Sequence, residues 1–127
     1  MLATTPEPPY YSVIFASEKT ESEADQSAYD IMASQMLDLA AQQPGYLGVE
    51  TIENDLGHGI TVSYWESMDA IKAWRDNPDH LAAQKLGKEV WYERYSLRIA
   101  KVEWSGVFSR RTRLKFLTIE KNDVGID

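Results

Sequence analysis

Between residues 63 and 87 the chain carries Tyr64, Trp65, Trp74, Arg75, His80 and Gln84. These are side chains able to do chemistry on an aromatic ring. An imidazole has an ordinary pKa near neutrality, so a neutral His80 can take a proton from a phenol or an activated methylene. Trp65 and Trp74 can wall an aromatic pocket, each with one N–H donor. Arg75 can pair with an enolate oxygen as charge develops, and Tyr64 can donate a hydrogen bond to a substrate oxygen. Gln84 stands four residues after His80, on the same face of a helix, where it can orient the ring or hold a substrate carbonyl.

Each of these residues also has a purely structural reading. His80 can hydrogen-bond Asp76 or a backbone carbonyl. Arg75 can form a surface salt bridge with Asp76 or Asp79, and Gln84 can be a structural hydrogen bonder. Trp65 and Trp74 can be plain core, and Trp91 and Trp104 core or dimer packing. Tyr64 shares parity with Ile60 and Val62, which predicts that it faces the core. His58 sits between Gly57 and Gly59 in a turn and reads as exposed and inert. Glu50 and Glu53 differ in parity, so they form no carboxylate pair.

The elements that must position these residues follow from periodicity. Residues 10–17 alternate with Tyr11, Val13 and Phe15 on one face, predicting a first strand. Thr20 or Ser22 can cap a helix whose first turn holds Glu21, Glu23 and Asp25. Ala28, Tyr29, Met32, Met36, Leu39 and Ala40 then recur at helical spacing through Gln43, a Met-rich packing face. Pro44-Gly45 ends that helix. Residues 46–53 read as a second strand with Leu47, Val49 and Thr51 on one face. Residues 54–59 read as a hairpin loop and residues 60–65 as a third strand. Ser67 caps a helix running to about Asp76. Asn77-Pro78 restarts one, with Asn77 as cap and Pro78 at its first position, and Gly87 ends it. Residues 90–92 can add a short turn.

Residues 95–108 read as the last strand. Tyr95, Leu97 and Ile99 share one parity, and Ala100, Val102 and Trp104 the other. That change of phase predicts a β-bulge near Ala100, or else a partner chain covering the far half. Residues 114–119 could add a small strand. The order β-α-β-β-α-β predicts a ferredoxin-like α+β domain, a four-stranded antiparallel sheet with helices on one face. Its other face is apolar on several strands, and dimerisation through those faces would bury it.

Composition narrows the function classes. One domain fits 127 residues, of which 43% are hydrophobic and 26% charged. Residues 1–9 read as a flexible or extended leader, 10–108 as the domain and 109–127 as a basic tail. No apolar run is long enough to span a membrane. The opening residues lack a basic and an apolar signal region, so the expectation is a cytoplasmic protein. The chain has no cysteine and two histidines, which excludes disulfides, thiolate metal sites and a Cys nucleophile and argues against a His-rich metal site. The net charge is −7, divided as +2 over residues 109–127 and −9 over residues 1–108. Such a body repels phosphate backbones, so no nucleic-acid partner is expected. The Arg110-Arg111-Thr112-Arg113 cluster reads as a solvated tail. Phosphate loops, nucleophile elbows and metal-ligand spacings are absent from the sequence.

Over residues 10–108 the chain resembles the antibiotic biosynthesis monooxygenase family. The resemblance rests on Pro44-Gly45-Tyr46-Leu47-Gly48, on Ser63-Tyr64-Trp65-Glu66-Ser67, and on Ala73-Trp74-Arg75 with His80-Leu81-Ala82-Ala83-Gln84. It implies a homodimeric α/β barrel closed by two sheets, with a pocket between sheet and helices in each subunit. The best-known members convert phenolic or anthrone-type rings to quinones without metal, flavin or haem. By that resemblance the chain is a cofactor-independent monooxygenase of a small electron-rich aromatic. His80 and Arg75 would be catalytic, Trp65, Trp74, Tyr64 and Gln84 substrate-binding, and no cofactor is needed. The other implied reading is a non-catalytic small-molecule-binding or stress-associated dimer. A haem-degrading branch of the family has a Trp matching Trp74 and an iron-ligating His ten positions later. Here that position is Gln84, a poor haem ligand, and the branch's first-strand Asn has no counterpart in residues 11–16.

Overall fold

A computed structural model describes residues 1–20 and 26–110. The elements are β1 (Tyr10–Lys19), α1 (Gln26–Ala41), β2 (Tyr46–Glu53), β3 (His58–Trp65), α2 (Met68–Arg75), α3 (Pro78–Leu86), a π-helical turn (Gly87–Trp91) and β4 (Tyr92–Val102). The sheet is antiparallel in the order β2-β3-β1-β4. This is the ferredoxin-like α+β plan, with the helices on one face. The acidic first turn expected at residues 21–25 and the small strand at 114–119 lie outside the described residues. Thr20, one candidate cap, donates its hydroxyl to the Val90 carbonyl and its N–H to that of Trp91.

The core sits where α1 and α2 meet β1 and β3. Trp65 is fully buried among Ala40, Ile71, Tyr11, Val13, Tyr46, Ala70 and Trp74. Tyr29, Met32, Met36 and Leu39 are the half-buried stripe of α1 that leads to buried Ala40. A second aromatic group stands by β4, where Phe15 meets Tyr92 and Tyr95 and Tyr29 packs edge-on to buried Trp91.

Register corrects the face assigned to Tyr64. Tyr11 pairs with Trp65, while Ser12 pairs with Tyr64. Trp65 belongs to the helix-packed core, so Tyr64, Val62 and Ile60 lie on the face away from the helices. Alternation says which residues share a face, not which face the helices take. Here both faces carry apolar side chains, and the Ile60-Val62-Tyr64 parity points away from the core.

The last strand differs from expectation in three ways. It begins at Tyr92 and ends at Val102. Its pairing with β1 is regular through Ala100, with Ser12 opposite Ala100 and Val13 opposite Ile99. The irregularity is at the other end, where Lys19 pairs with Tyr92 and Glu18 with Arg94, leaving Glu93 as the extra residue. The change of phase at Ala100 is therefore not a bulge. Tyr95, Leu97 and Ile99 share the helix face with β1's Phe15 and Val13, and Ala100 and Val102 share the open face with Ser12 and Tyr10.

α3 ends at Leu86 with Gly87 as its C-cap, but not through a left-handed glycine. The Gly87 backbone is right-handed helical at φ −58° and leads into the π-helical turn. A Cβ there would come within 2.9 Å of the Tyr92 ring, so glycine is needed for close approach. Residues 1–9 run along the sheet. The Ala3 N–H donates to Glu50 Oε2 at 3.1 Å, and the Thr5 and Tyr10 hydroxyls are 2.9 Å apart.

Candidate functional site

The site is built at the corner between α2 and α3. Ser67 caps α2, its hydroxyl accepting the Ala70 N–H, and the helix ends after Arg75. Its last turn leaves carbonyls without helical partners. The Trp74 carbonyl is one of them, and it accepts the Asn77 N–H at 3.1 Å. Asn77 then caps α3, its Oδ1 accepting the N–H groups of Asp79 and His80, with Pro78 at the first helical position. Local sequence alone thus bends the chain so that His80 returns onto Trp74.

The His80 ring lies flat on the Trp74 indole, with centroids 4.0 Å apart and planes 10° apart. Trp74 in turn is near-parallel to Trp65, at 6.2 Å and 22°, and Tyr46 meets Trp65 edge-on at 5.6 Å. His80 Nδ1 lies 2.9 Å from the Trp74 carbonyl oxygen. A carbonyl can only accept, so Nδ1 carries the proton. A neutral ring then has its lone pair on Nε2, where the Gln84 amide donates from 3.4 Å. Burial pushes the His80 pKa below the ordinary histidine value, against the smaller opposing pull of the Trp74 carbonyl. At neutral pH this is a neutral imidazole with a fixed tautomer and one available basic nitrogen.

The other expected residues are placed differently. Trp65 is 0% exposed and spends its N–H on the Ser63 hydroxyl at 2.9 Å, so it supports the stack from beneath. Arg75 is exposed and pairs with Asp76 at 3.1 Å. Among the described residues, no hydrogen bond or ion pair links it to His80. Tyr64 is on the opposite face of the sheet and donates to Glu50 Oε1 at 2.6 Å. Burial, and then this bond to Glu50, hold its proton well above the usual phenol range. The structure therefore brings together Trp65, Trp74, His80 and Gln84, and leaves Arg75 and Tyr64 outside that group.

Two features were not foreseen. One is the Trp74 carbonyl as anchor of the imidazole, which no side-chain pattern reveals. The other is an apolar shelf on the helix face of β4, where Leu97 and Ile99 stay 54% and 48% exposed. Their alternation with Tyr95 was the available signal. Among the described residues, no group of three or more His, Cys, Asp or Glu is placed to hold a metal ion. No helix there is long and apolar enough to cross a membrane.

The family model described as antibiotic biosynthesis monooxygenase matches residues 12–86, which span the sheet core and this corner. The chain belongs to that family. A relative within reach of sequence is the "Uncharacterized protein YqjZ" of Bacillus subtilis, 51% identical over 111 residues, covering 87% of this chain and 95% of the relative. Family folds recur in solved structures of low identity. SnoaB, a cofactor-independent oxygenase from Streptomyces nogalater, aligns with TM-score 0.60 at 11% identity over 82% of this chain and 96% of its own. Rv0793 from Mycobacterium tuberculosis aligns with TM-score 0.62 at 14% identity over 81% of this chain and 99% of its own. At such identity the shared property is the fold.

Proposed function

We propose that this family member is a cofactor-independent monooxygenase of a small electron-rich aromatic, working as a homodimer, with His80 as its base. The observation that carries this reading is the state of His80: neutral, anchored through Nδ1–H, with the Nε2 lone pair held only by a long amide contact. General bases work best when their pKa lies near the working pH, and the lowering at His80 keeps the free base populated there. SnoaB, a cofactor-independent oxygenase of the same fold, supports the reaction class.

In this mechanism Nε2 removes a proton from a phenol or an activated ring methylene. The resulting anion gives one electron to dioxygen, and the substrate radical and superoxide combine to a hydroperoxide. Loss of water leaves a ring carbonyl. One oxygen atom enters the product, the other leaves as water with the two hydrogens of the methylene, or with the hydroxyl proton and one ring hydrogen of the phenol, and His80 returns to its neutral form. Stacking on Trp74 holds the imidazole plane fixed during proton transfer. Trp65 contributes by backing Trp74, and Arg75 and Tyr64 take no part.

The second reading, a small-molecule-binding dimer without turnover, is favoured by one specific observation. Arg75 is engaged by Asp76 at the surface, so it is not the cation that would stabilise an enolate beside His80. Oxygen uptake separates the two. Purified protein is given anthrone, hydroquinone and naphthol compounds without added cofactor, as the native chain and as His80→Ala. The expected result is protein-dependent uptake that falls at least ~100-fold in the variant. Uptake no faster than the uncatalysed rate over the whole panel would select the binding reading.

A further inference from the structure

His80 is held unequally at its two nitrogens. Nδ1–H is bound at 2.9 Å to a backbone carbonyl that cannot move without unwinding the α2–α3 corner. The ring face rests on Trp74, and the His80 backbone N–H is tied to Asn77. Nε2 has a partner of another kind, a half-buried glutamine side chain at 3.4 Å, beyond the usual N–H bond length. That side chain has rotatable bonds and can swing away while the imidazole keeps its place.

We propose that Gln84 is a displaceable cap on His80 Nε2, which makes the corner selective for neutral ligands that bring an O–H or N–H proton. An incoming phenolic or enolic O–H replaces the amide as donor to the lone pair. A group offering only lone pairs, such as a carboxylate, has nothing to exchange there. Gln84 is then a specificity residue acting at the first binding step. Its importance for catalysis rests on His80 being the base, but the binding step itself needs no turnover.

The test is nitrogen NMR of the full chain with labelled histidine, using phenol and benzoate as probes. In the native protein His80 should show a protonated Nδ1 and an unprotonated Nε2. Phenol should move the Nε2 resonance and leave Nδ1 nearly fixed, and benzoate should move neither. Gln84→Ala should keep the tautomer and bind phenol roughly 2- to 10-fold more tightly, since no amide bond must first be broken. Gln84→Glu puts a carboxylate beside Nε2, which should draw a proton onto that nitrogen and abolish the phenol response. A protonated Nε2 in the native chain overturns the proposal. So does a phenol response indifferent to both Gln84 variants, or no His80 response to phenol at all. If this pattern holds while oxygen uptake is absent, the oxygenase reading fails and the cap stands.

Discussion

His80 illustrates how much a single residue's state depends on atoms outside side-chain patterns. Its pairing with Gln84 is written in the four-residue spacing, whereas its stack on Trp74 appears only once the chain turns at Asn77-Pro78 between the two short helices. Its tautomer depends on the Trp74 carbonyl, an acceptor created only when α2 ends, and its neutrality on burial. Arg75 follows the surface salt bridge that its neighbour Asp76 offers, and sequence proximity to Trp74 does not carry it to the same side of the helix. Because the folded pKa of His80 lies below its unfolded value, the unfolded chain binds the proton more readily. Stability should therefore be full above about pH 6.5, the ordinary histidine value, and decline as pH falls through the lower folded pKa. Urea unfolding of the native chain between pH 7.5 and 5 should show this loss, and His80→Asn should lack that component over the same window. Parallel curves for the two proteins would contradict the assignment of His80 as a half-buried neutral base.

At the scale of elements, the legible parts were those with a local chemical cause. Ser67 and Asn77-Pro78 start their helices where cap chemistry places them. Pro44-Gly45 ends α1 within a few residues of its observed end. The right-handed cap at Gly87 and the β4 bulge were not legible, since one depends on the Tyr92 ring packing against the backbone and the other on pairing with Lys19. Two substitutions weigh these causes. Asn77→Ala removes the acceptor for two N–H groups and should cost about 1 kcal/mol in unfolding free energy, whereas Asn77→Asp should keep most of it. Gly45→Ala should cost more, roughly 1–3 kcal/mol. Gly45 has φ +86°, and a Cβ there would lie 2.5 Å from the Ala70 Cβ, forcing α2 off the sheet. Equal denaturation midpoints for Gly45→Ala and the native chain would show that this crossing is not the tight point the geometry indicates.

The whole molecule is governed by the sheet face that the helices leave open. The sequence foresaw an apolar second face but not its composition end by end. At one end Tyr10, Tyr64 and Glu50 meet the chain's own residues 3–5. At the other, a groove of about 720 Å³ runs between Ala16, Ile52, Ile60, Arg94 and Ser96, with Ile52 and Ile60 65% and 49% exposed. The regular register of β4 through Ala100 removes the bulge as the explanation of its apolar far half. The remaining one is cover by a second chain, in keeping with the homodimer proposed above. A stable pair would be expected to bury on the order of 1,600 Å² in total, and charge placed at the centre of that area should be poorly tolerated. Sedimentation equilibrium should therefore give a mass twice that of the 14.5 kDa chain. Ile60→Glu should shift it toward the single chain, because a carboxylate facing its symmetry mate would have to be desolvated without a partner. Leu56→Glu, in the exposed β2–β3 hairpin, adds the same charge elsewhere and should leave the mass unchanged. If both variants remain dimers, the open face is not the interface, and the pairing must use another surface.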